Sequence, residues 1–260
     1  MSRPPTFLLS FDFDGTLVHP ESDPVFHPEL GRMIRQLREQ GAGWVINTGR
    51  SLPQTLQGIA QYGLFMEPDF IIARECDIHR PGLFGGWKDS GAWNRQARRA
   101  HERFVRDHRA SLDLIRRWIE SETDAQFLSG DYGELGIVAT SVPEMDRITV
   151  FIEGHSAEFP DIGFHRNGIY LRFSHRAYSK GTALAELARQ LGLDASHCFA
   201  AGDNHNDLSM LDLRRAHRLA APGNALDPVK AHVRGHGGFV ADRPASEGMI
   251  QALHHYFGGA

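Results

Sequence analysis

The fold is decided at residues 7–17, which read Phe-Leu-Leu-Ser-Phe-Asp-Phe-Asp-Gly-Thr-Leu. An apolar run that ends in Asp14 and Gly15 is typical of a buried strand followed by a tight turn. In open α/β sheets, ligands bind outside the carboxyl ends of the strands, where Asp12 and Asp14 would then lie. Two carboxylates one residue apart repel each other unless a cation lies between them or one is protonated. Local turn and cap chemistry is the alternative explanation for these residues.

Strands and helices alternate on both sides of the middle of the chain. Residues 28–40 show the apolar spacing of a helix, residues 44–47 and 69–73 are apolar like buried strands, and Ser51 with Pro53 is typical of a helix start. The alternation returns after Ser179, with a helix predicted over 180–191, a strand over 197–201, a helix over 206–213 and a weaker strand near Leu219. Such alternation predicts a parallel sheet built of right-handed βαβ units.

The middle of the chain has a different pattern. A long polar helix is predicted over roughly 92–120, and it is followed by short segments that alternate like antiparallel strands, at 126–128, 135–138, 148–152 and 169–173. The sequence therefore predicts an α/β fold with a Rossmann-like core over 1–76 and 175–260, interrupted by an α+β insert over 77–174.

The composition excludes several classes of protein. The 260 residues carry 28 Lys and Arg against 32 Asp and Glu, a net charge of −4, and 41% are hydrophobic. This balance is that of an ordinary globular protein, and it argues against a nucleic-acid partner, which needs a sustained basic surface. No apolar run approaches the roughly 20 residues of a membrane span, and the first residues lack a signal peptide. Two distant cysteines indicate reduced thiols, so we expect a cytoplasmic protein without a membrane partner.

Two further polar positions fall at the same edge of the predicted sheet. Thr48 ends the second strand, and its hydroxyl and the following Gly49 amide are suited to a phosphate oxygen. Lys180 stands at the start of a predicted helix, where the helix dipole disfavours a cation, so its position suggests an anion nearby. Taken alone, a Thr near a helix N-terminus and a solvated Lys would explain both.

The last motif is the acidic loop Gly202-Asp203-Asn204-His205-Asn206-Asp207, which follows the strand predicted over 197–201. Asp203 and Asp207 could simply cap the next helix. Carboxylates without soft ligands also suit a hard cation that takes oxygen ligands, which favours Mg²⁺ over Zn²⁺.

Taken together and in this order, the motifs resemble the four signatures of the haloacid dehalogenase superfamily of phosphohydrolases. The matching positions are Asp12-Phe13-Asp14-Gly15-Thr16, Asn47-Thr48-Gly49-Arg50, Lys180, and residues 202–207. The insert resembles the C2-type cap of the Cof-like, type IIB sugar phosphatases. Two features depart from that pattern: only one long helix is evident in the insert, so the cap looks abbreviated, and Arg74-Glu75-Cys76-Asp77 stands where relatives often have Asn-Gly.

The resemblance implies a role for each site residue. Asp12 would be the nucleophile that forms an aspartyl-phosphate, and Asp14 the general acid and base. Mg²⁺ would be held by Asp12, the backbone carbonyl of Asp14 and Asp203. The remaining residues would bind the phosphate or hold its ligands in place: Thr48, Gly49, Lys180 and Asn206 for the phosphate, and Asp207 as the support for Lys180 and Asp203.

The expected function is a Mg²⁺-dependent phosphatase of a small phosphorylated metabolite, with a sugar phosphate as the first choice. Two alternatives stay open, a sugar phosphomutase and a non-catalytic sensor of phosphorylated ligands. The mutase is the less favoured of the enzymes because an abbreviated cap would not exclude water. Dinucleotide binding is excluded because no glycine-rich loop follows the first strand. The pattern leaves a homo-oligomer open.

Overall fold

The computed structural model describes residues 4–64, 66–82, 85–128, 136–156 and 162–258. Their strands are, in chain order, β1 (Phe7–Phe11), β2 (Ala42–Asn47), β3 (Phe70–Ala73), β4 (Asp77–Pro81), β5 (Trp87–Asp89), β6 (Gln126–Leu128), β7 (Gly136–Val138), β8 (Ile162–Asn167), β9 (Tyr170–His175), β10 (Cys198–Ala201), β11 (Arg218–Ala221) and β12 (Phe239–Val240). The helices are α1 (Pro28–Glu39), α2 (Leu52–Gln61), α3 (Ala92–Asp107), α4 (Arg109–Glu122), α5 (Val142–Ser156), α6 (Lys180–Gln190), α7 (Asp227–Gly235) and α8 (Ala245–Phe257).

The chain divides into two compact units, one formed by residues up to Asn94 and from Ser179, the other by Arg95–Tyr178. The first unit contains a sheet with the strand order β12-β11-β10-β1-β2-β3-β4-β5. Neighbouring strands from β12 to β3 run parallel, and β4 and β5 add an antiparallel edge. The predicted α/β fold with a Rossmann-like parallel sheet is confirmed.

Both faces of this sheet are covered, because alternate residues of its central strands enter two different apolar clusters. On β1, Leu9 and Phe11 belong to one cluster and Leu8 to the other. On β2, Trp44 belongs to the first cluster and Val45 to the second. Both faces of the sheet are therefore covered by apolar side chains. A polar site on this unit is expected at the carboxyl ends of the strands β1, β2, β3 and β10.

Two helices of the first unit begin at the residues that the sequence predicts. Ser51 caps α2 through a reciprocal pair of hydrogen bonds with Gln54, and Ser179 caps α6 in the same way with Thr182. Each cap satisfies backbone N–H groups that have no partner inside the helix. These two starts place α2 after Thr48 and Lys180 at the first position of α6.

The strands β4 and β5 lie within the stretch that the sequence analysis assigns to the insert. In the structure they extend the first sheet, since Asp77 pairs with Ala73 and Ile78 with Ile72. The second compact unit accordingly begins at Arg95, whereas the insert is predicted from residue 77. The domain boundaries at 77 and 174 stay a prediction.

The second unit contains an antiparallel sheet in the order β6-β7-β9-β8. The predicted strand at 148–152 is wrong, because these residues lie inside α5. Their β-branched side chains favour a strand locally, but Met145, Ile148 and Ile152 have helical spacing and all enter the core of this unit. Val150, between them, is 69% exposed, as expected on the outer face of a helix.

The insert is therefore not limited to one helix. The predicted long helix is divided at His108 into α3 and α4, and α5 is a further helix in place of the predicted strand. The expectation of an abbreviated cap fails for this reason. The helix predicted over 206–213 is also wrong: the structure has a short 3₁₀ helix, His205–Ser209, capped by Asn204.

Candidate active site

The carboxyl edge of the first sheet brings together side chains from four loops. Asp12 follows β1, Thr48 follows β2, Glu75 follows β3 and Asp203 follows β10. All four residues are buried. Lys180, at the start of α6, reaches the same edge.

Lys180 is the centre of the buried polar network. Its Nζ lies 2.5 Å from Asp12 Oδ1 and 2.6 Å from Asp207 Oδ1, and its side chain is fully buried. Burial alone lowers the pKa of Lys180, but the carboxylates of Asp12 and Asp207 outweigh burial and raise it well above its usual value. Lys180 is therefore a permanent cation at this edge.

The start of α6 is held in place by contacts that need particular neighbours. Asn47 Nδ2 donates to the Lys180 carbonyl at 3.2 Å, which ties the helix to the end of β2. A Cβ on Gly181 would overlap the backbone carbonyl of Ser209, so only glycine allows this approach. The Gly181 amide then donates to Ser209 Oγ at 3.2 Å. The start of α6, and with it the Lys180 ammonium, is thus held by three contacts that the Lys180 side chain does not make.

Three carboxylates lie close together beside this lysine. One oxygen from each of Asp12, Asp203 and Asp207 lies within 4.8 Å of the others. Thr16 Oγ1 donates to Asp203 Oδ1 at 2.8 Å, and a Cβ on Gly15 would overlap the Asp203 carboxylate. The Asp-Gly-Thr sequence after β1 therefore leaves room for Asp203 and also binds it.

The charges of this cluster do not balance within the protein. Burial, and after it the carboxylate of Asp207, raise the pKa of Asp12 well above its usual value and the pKa of Asp203 to about 7. Three carboxylates face one ammonium group, and every donor atom of the cluster is an oxygen. A hard divalent cation such as Mg²⁺ fits this donor set and would offset the remaining negative charge. Asp12 and Asp203 are the residues suited to hold it.

Asp207 is already occupied by the protein. Its Oδ1 accepts from Lys180, and its Oδ2 accepts from the backbone N–H groups of Asp203 at 2.8 Å and Asn204 at 2.9 Å. These bonds hold both the lysine and the loop that carries Asp203. Such contacts are those of a support residue, the role that the family resemblance implies for Asp207.

Asp14 lies apart from the three carboxylates and pairs with Arg50. Arg50 Nε donates to Asp14 Oδ2 at 2.7 Å, and Nη2 donates to Oδ1 at 2.6 Å. The guanidinium also lies over the Phe13 ring, 5.1 Å from its centroid. The second motif contains Arg50, and its place in that motif is the sequence signal for a role at the site. The backbone carbonyl of Asp14 as a metal ligand stays a prediction.

Thr48 and Gly49 form the turn between β2 and α2. The Thr48 amide donates to Ile72 at 2.8 Å, and its Oγ1 accepts from the Arg50 amide at 3.1 Å. The hydroxyl can therefore still donate its own proton to an incoming oxygen. Phosphate binding by Thr48, Gly49, Lys180 and Asn206 stays a prediction.

Glu75 is a site residue that the sequence reasoning did not assign. Its Oε1 accepts from Asn206 Nδ2 at 3.0 Å, so it joins the loop after β3 to the acidic loop. The departure from the family's Asn-Gly at residues 74–77 was the only signal for it, and nothing in the sequence indicates which way its side chain points.

The chain is similar to proteins of a known family. The profile of the haloacid dehalogenase-like hydrolases matches residues 9–73 and 136–253, which is more than half of the chain. The chain belongs to the haloacid dehalogenase-like hydrolases. It is thus an enzyme of this family, a phosphatase, and the predicted membership is confirmed.

Relatives of this hydrolase include several phosphatases. The phosphoglycolate phosphatase of Natronomonas pharaonis is 26% identical over 250 residues, which cover 94% of this chain and 95% of that protein. A phosphoglycolate phosphatase of Methanoculleus marisnigri is 31% identical, but over 90 residues, 35% of this chain and 36% of that protein.

Solved structures of the family share the fold of this hydrolase. The sucrose-phosphatase of Synechocystis sp. PCC6803, in complex with sucrose and phosphate, has a TM-score of 0.73 at 18% identity, covering 96% of this chain and 98% of that one. The subclass IIB sugar phosphatase BT4131 has a TM-score of 0.63 at 16% identity, covering 96% and 99%. The fold is therefore that of the type IIB phosphatases. Within the described ranges, no helix combines the length and the apolar character that crossing a bilayer requires.

Proposed function

We propose that this enzyme is a Mg²⁺-dependent phosphatase that hydrolyses a small phosphorylated metabolite, a sugar phosphate by first choice, through an aspartyl-phosphate on Asp12. The observation that carries the proposal is the buried Asp12 carboxylate, which contacts the Lys180 ammonium and lies close to the carboxylates of Asp203 and Asp207. A carboxylate attacks a phosphate ester only where positive charge offsets the repulsion between them. Lys180 supplies part of that charge, and the donor set of Asp12 and Asp203 suits the cation that would supply the rest.

In the first step, an Asp12 oxygen forms a bond to phosphorus while the bond from phosphorus to the ester oxygen breaks. Asp14 gives a proton to that oxygen as the alcohol leaves. Lys180 and Thr48 bind the phosphoryl oxygens and keep the phosphorus in line with Asp12. When bound, Mg²⁺ neutralises charge on the phosphoryl group and on the attacking carboxylate.

In the second step, water attacks the phosphorus of the aspartyl-phosphate, and the bond from phosphorus to the Asp12 oxygen breaks. Asp14 takes a proton from this water. Both oxygens of Asp14 accept hydrogen bonds from Arg50, which fixes the orientation of this carboxylate. The residues thus provide a nucleophile, a proton carrier and a phosphate cradle at one edge of the sheet.

The relatives support the substrate class, since a phosphatase core by itself accepts many leaving groups. Sucrose-phosphatase and BT4131 act on sugar phosphates by their names, and the relative from Natronomonas pharaonis acts on phosphoglycolate. A test panel therefore needs both kinds of ester.

The test measures phosphate release from sucrose 6-phosphate, hexose phosphates, phosphoglycolate and an aryl phosphate, with Mg²⁺ or with EDTA. Release by the wild-type enzyme that needs Mg²⁺ and is lost in Asp12→Asn is the expected result. Asp194→Asn, a change at a surface carboxylate, is the matched control and keeps full activity. Turnover of Asp12→Asn at the wild-type rate, with an unchanged circular dichroism spectrum, would remove the covalent mechanism. A phosphorylated isomer without released phosphate would show a mutase instead.

A further inference from the structure

We infer that Glu75 is a positioning residue that joins the two phosphate-binding loops and turns the Asn206 amide nitrogen toward the phosphate. This inference rests on the proposed function, because it assumes that a phosphate occupies the edge of the sheet beside Thr48 and Lys180. It goes beyond that function by giving a role to a residue for which the family pattern offers no counterpart.

The backbone at Glu75 is held in a conformation that its side chain disfavours. Arg74 and Glu75 have φ of 49° and 70°, in the left-handed region that glycine and asparagine enter most readily. Two hydrogen bonds maintain the turn: Arg74 N donates to the Arg50 carbonyl at 2.9 Å, and Glu75 N donates to the Thr48 carbonyl at 3.0 Å. A glutamate kept at such a position suggests that its carboxylate is used.

The carboxylate of Glu75 lies between two loops. It is buried, with 5% of the residue exposed, and its Oε1 accepts from Asn206 Nδ2 at 3.0 Å in the acidic loop. On the other side, a Cβ built on Gly49 would lie 2.6 Å from the same oxygen, so Oε1 packs directly over Gly49. One carboxylate oxygen therefore connects the loop that follows β2 with the loop that follows β10.

This contact fixes the orientation of the Asn206 amide. A carboxylate only accepts hydrogen bonds, so the amide nitrogen must point at Glu75 and the amide oxygen must point away. The nitrogen carries a second N–H, which we assign to a phosphate oxygen. Asn206 Oδ1 has no hydrogen-bond partner among the residues that the structure describes, in agreement with an amide oriented through its nitrogen alone. Without Glu75, the amide could turn its oxygen toward the phosphate, and two acceptors would then repel each other.

The negative charge of Glu75 also stabilises the neighbouring Lys180 ammonium. After Asp12 and Asp207, Glu75 is the next carboxylate that raises the pKa of Lys180. Glu75 thus supports two of the residues that we assign to the phosphate, Lys180 and Asn206.

The experiment is a double-mutant cycle on the full-length enzyme with inorganic phosphate as the probe. The affinity for phosphate in the presence of Mg²⁺ is measured by calorimetry for wild type, Glu75→Gly, Asn206→Ala and the double variant. Glycine at 75 accepts the left-handed backbone without strain, so folding is expected to be preserved. We expect Glu75→Gly to weaken phosphate about 10-fold and the double variant to bind no more weakly than Asn206→Ala alone. If the losses of phosphate affinity in the two single variants multiply in the double variant, the two residues act independently and the inference is overturned. Unchanged affinity in Glu75→Gly would overturn it as well.

Two further variants separate positioning from mere structural support. Arg74→Gly relieves the neighbouring left-handed residue and keeps the carboxylate, so its phosphate affinity and KM stay at the wild-type level. Glu75→Gln keeps an acceptor and restores part of the affinity, whereas a purely structural role would show no difference between Gln and Gly in phosphate binding. If wild type releases phosphate through Asp12 but the cycle shows no coupling, this inference alone fails. If wild type binds no phosphate, the proposed function and this inference fail together.

Discussion

Arg50 donates hydrogen bonds to both carboxylate oxygens of Asp14, from Nε to Oδ2 at 2.7 Å and from Nη2 to Oδ1 at 2.6 Å. Such a bidentate ion pair fixes the plane of the carboxylate as well as its position. The guanidinium is itself restrained by the Phe13 ring beneath it. Asp14, the residue proposed to carry protons, is thus oriented by a residue of the neighbouring loop.

Replacing Arg50 by methionine is expected to lower kcat about 10- to 100-fold, a part of what a positioned general acid and base contributes. KM should change little, because the guanidinium bonds that are lost go to Asp14, and the backbone N–H by which Arg50 contacts Thr48 is kept in the variant. Steady-state kinetics on the best ester measure both constants.

Arg38 and Asp69 provide the control for this prediction. Their ion pair has the same length, 2.6 Å, and nearly the same exposure, 30% and 32% against 29% and 37%. Arg38→Met should therefore cost a similar amount of stability and leave kcat unchanged. Equal losses of kcat in the two variants would mean that Arg50 acts through stability alone.

Lys180→Met should destabilise the enzyme by about 3–5 kcal/mol, because it leaves buried carboxylates without their partner. Lys230, which pairs with the exposed Asp227, is the comparison: Lys230→Met should cost less than about 1 kcal/mol. Urea unfolding measures both. Adding Asp12→Asn to Lys180→Met should recover part of the loss, and an additive double variant would contradict the assignment of the loss to uncompensated charge.

Gly181→Ala tests whether the close approach of α6 to the acidic loop positions Lys180. The new methyl group would overlap the Ser209 carbonyl, so we expect a loss of at least about 2 kcal/mol and a strong fall in activity. At Gly154, in α5, a Cβ meets nothing within 4 Å. Gly154→Ala should therefore gain about 0.5–1 kcal/mol from helix propensity. Wild-type activity in Gly181→Ala would show that the helix shifts without disturbing the site.

The lowered pKa of His101 predicts that the free energy of unfolding of the second unit depends on pH. Burial, and after it the positive charges of Arg172, His175 and His165, lower the pKa of His101 from 6.5 to about 4. Between these values the unfolded chain binds a proton that the folded chain does not, so stability falls as the pH falls. The slope from this one group is at most about 1.4 kcal/mol per pH unit.

Unfolding by urea at pH 7.5, 6 and 5 checks this for wild type and His101→Gln. The glutamine variant cannot bind the proton, so its stability relative to wild type should improve at each step down in pH. Parallel pH profiles for the two proteins would show that His101 is not the group responsible.

The parallel sheet of the first unit can be predicted from local sequence, because each of its buried strands is a continuous apolar run bounded by turn or cap residues. The order of the polar motifs along the chain is equally plain in the sequence, and so are the starts of α2 and α6, because Ser51 and Ser179 act through their nearest neighbours. Structure of this kind depends on residues close together in the chain, so it can be predicted from the sequence.

Features that depend on distant neighbours become visible in the folded protein alone. Residues 148–152 form a helix because Ile148 and Ile152 are buried in the core of the second unit, and this burial outweighs the local preference of β-branched residues for strands. Arg50 meets Asp14, and Glu75 meets Asn206, across 36 and 131 residues of chain. Such contacts arise because parallel strands deliver their loops to one edge of the sheet, and the direction in which a loop side chain points is set only when the opposing loop is in place.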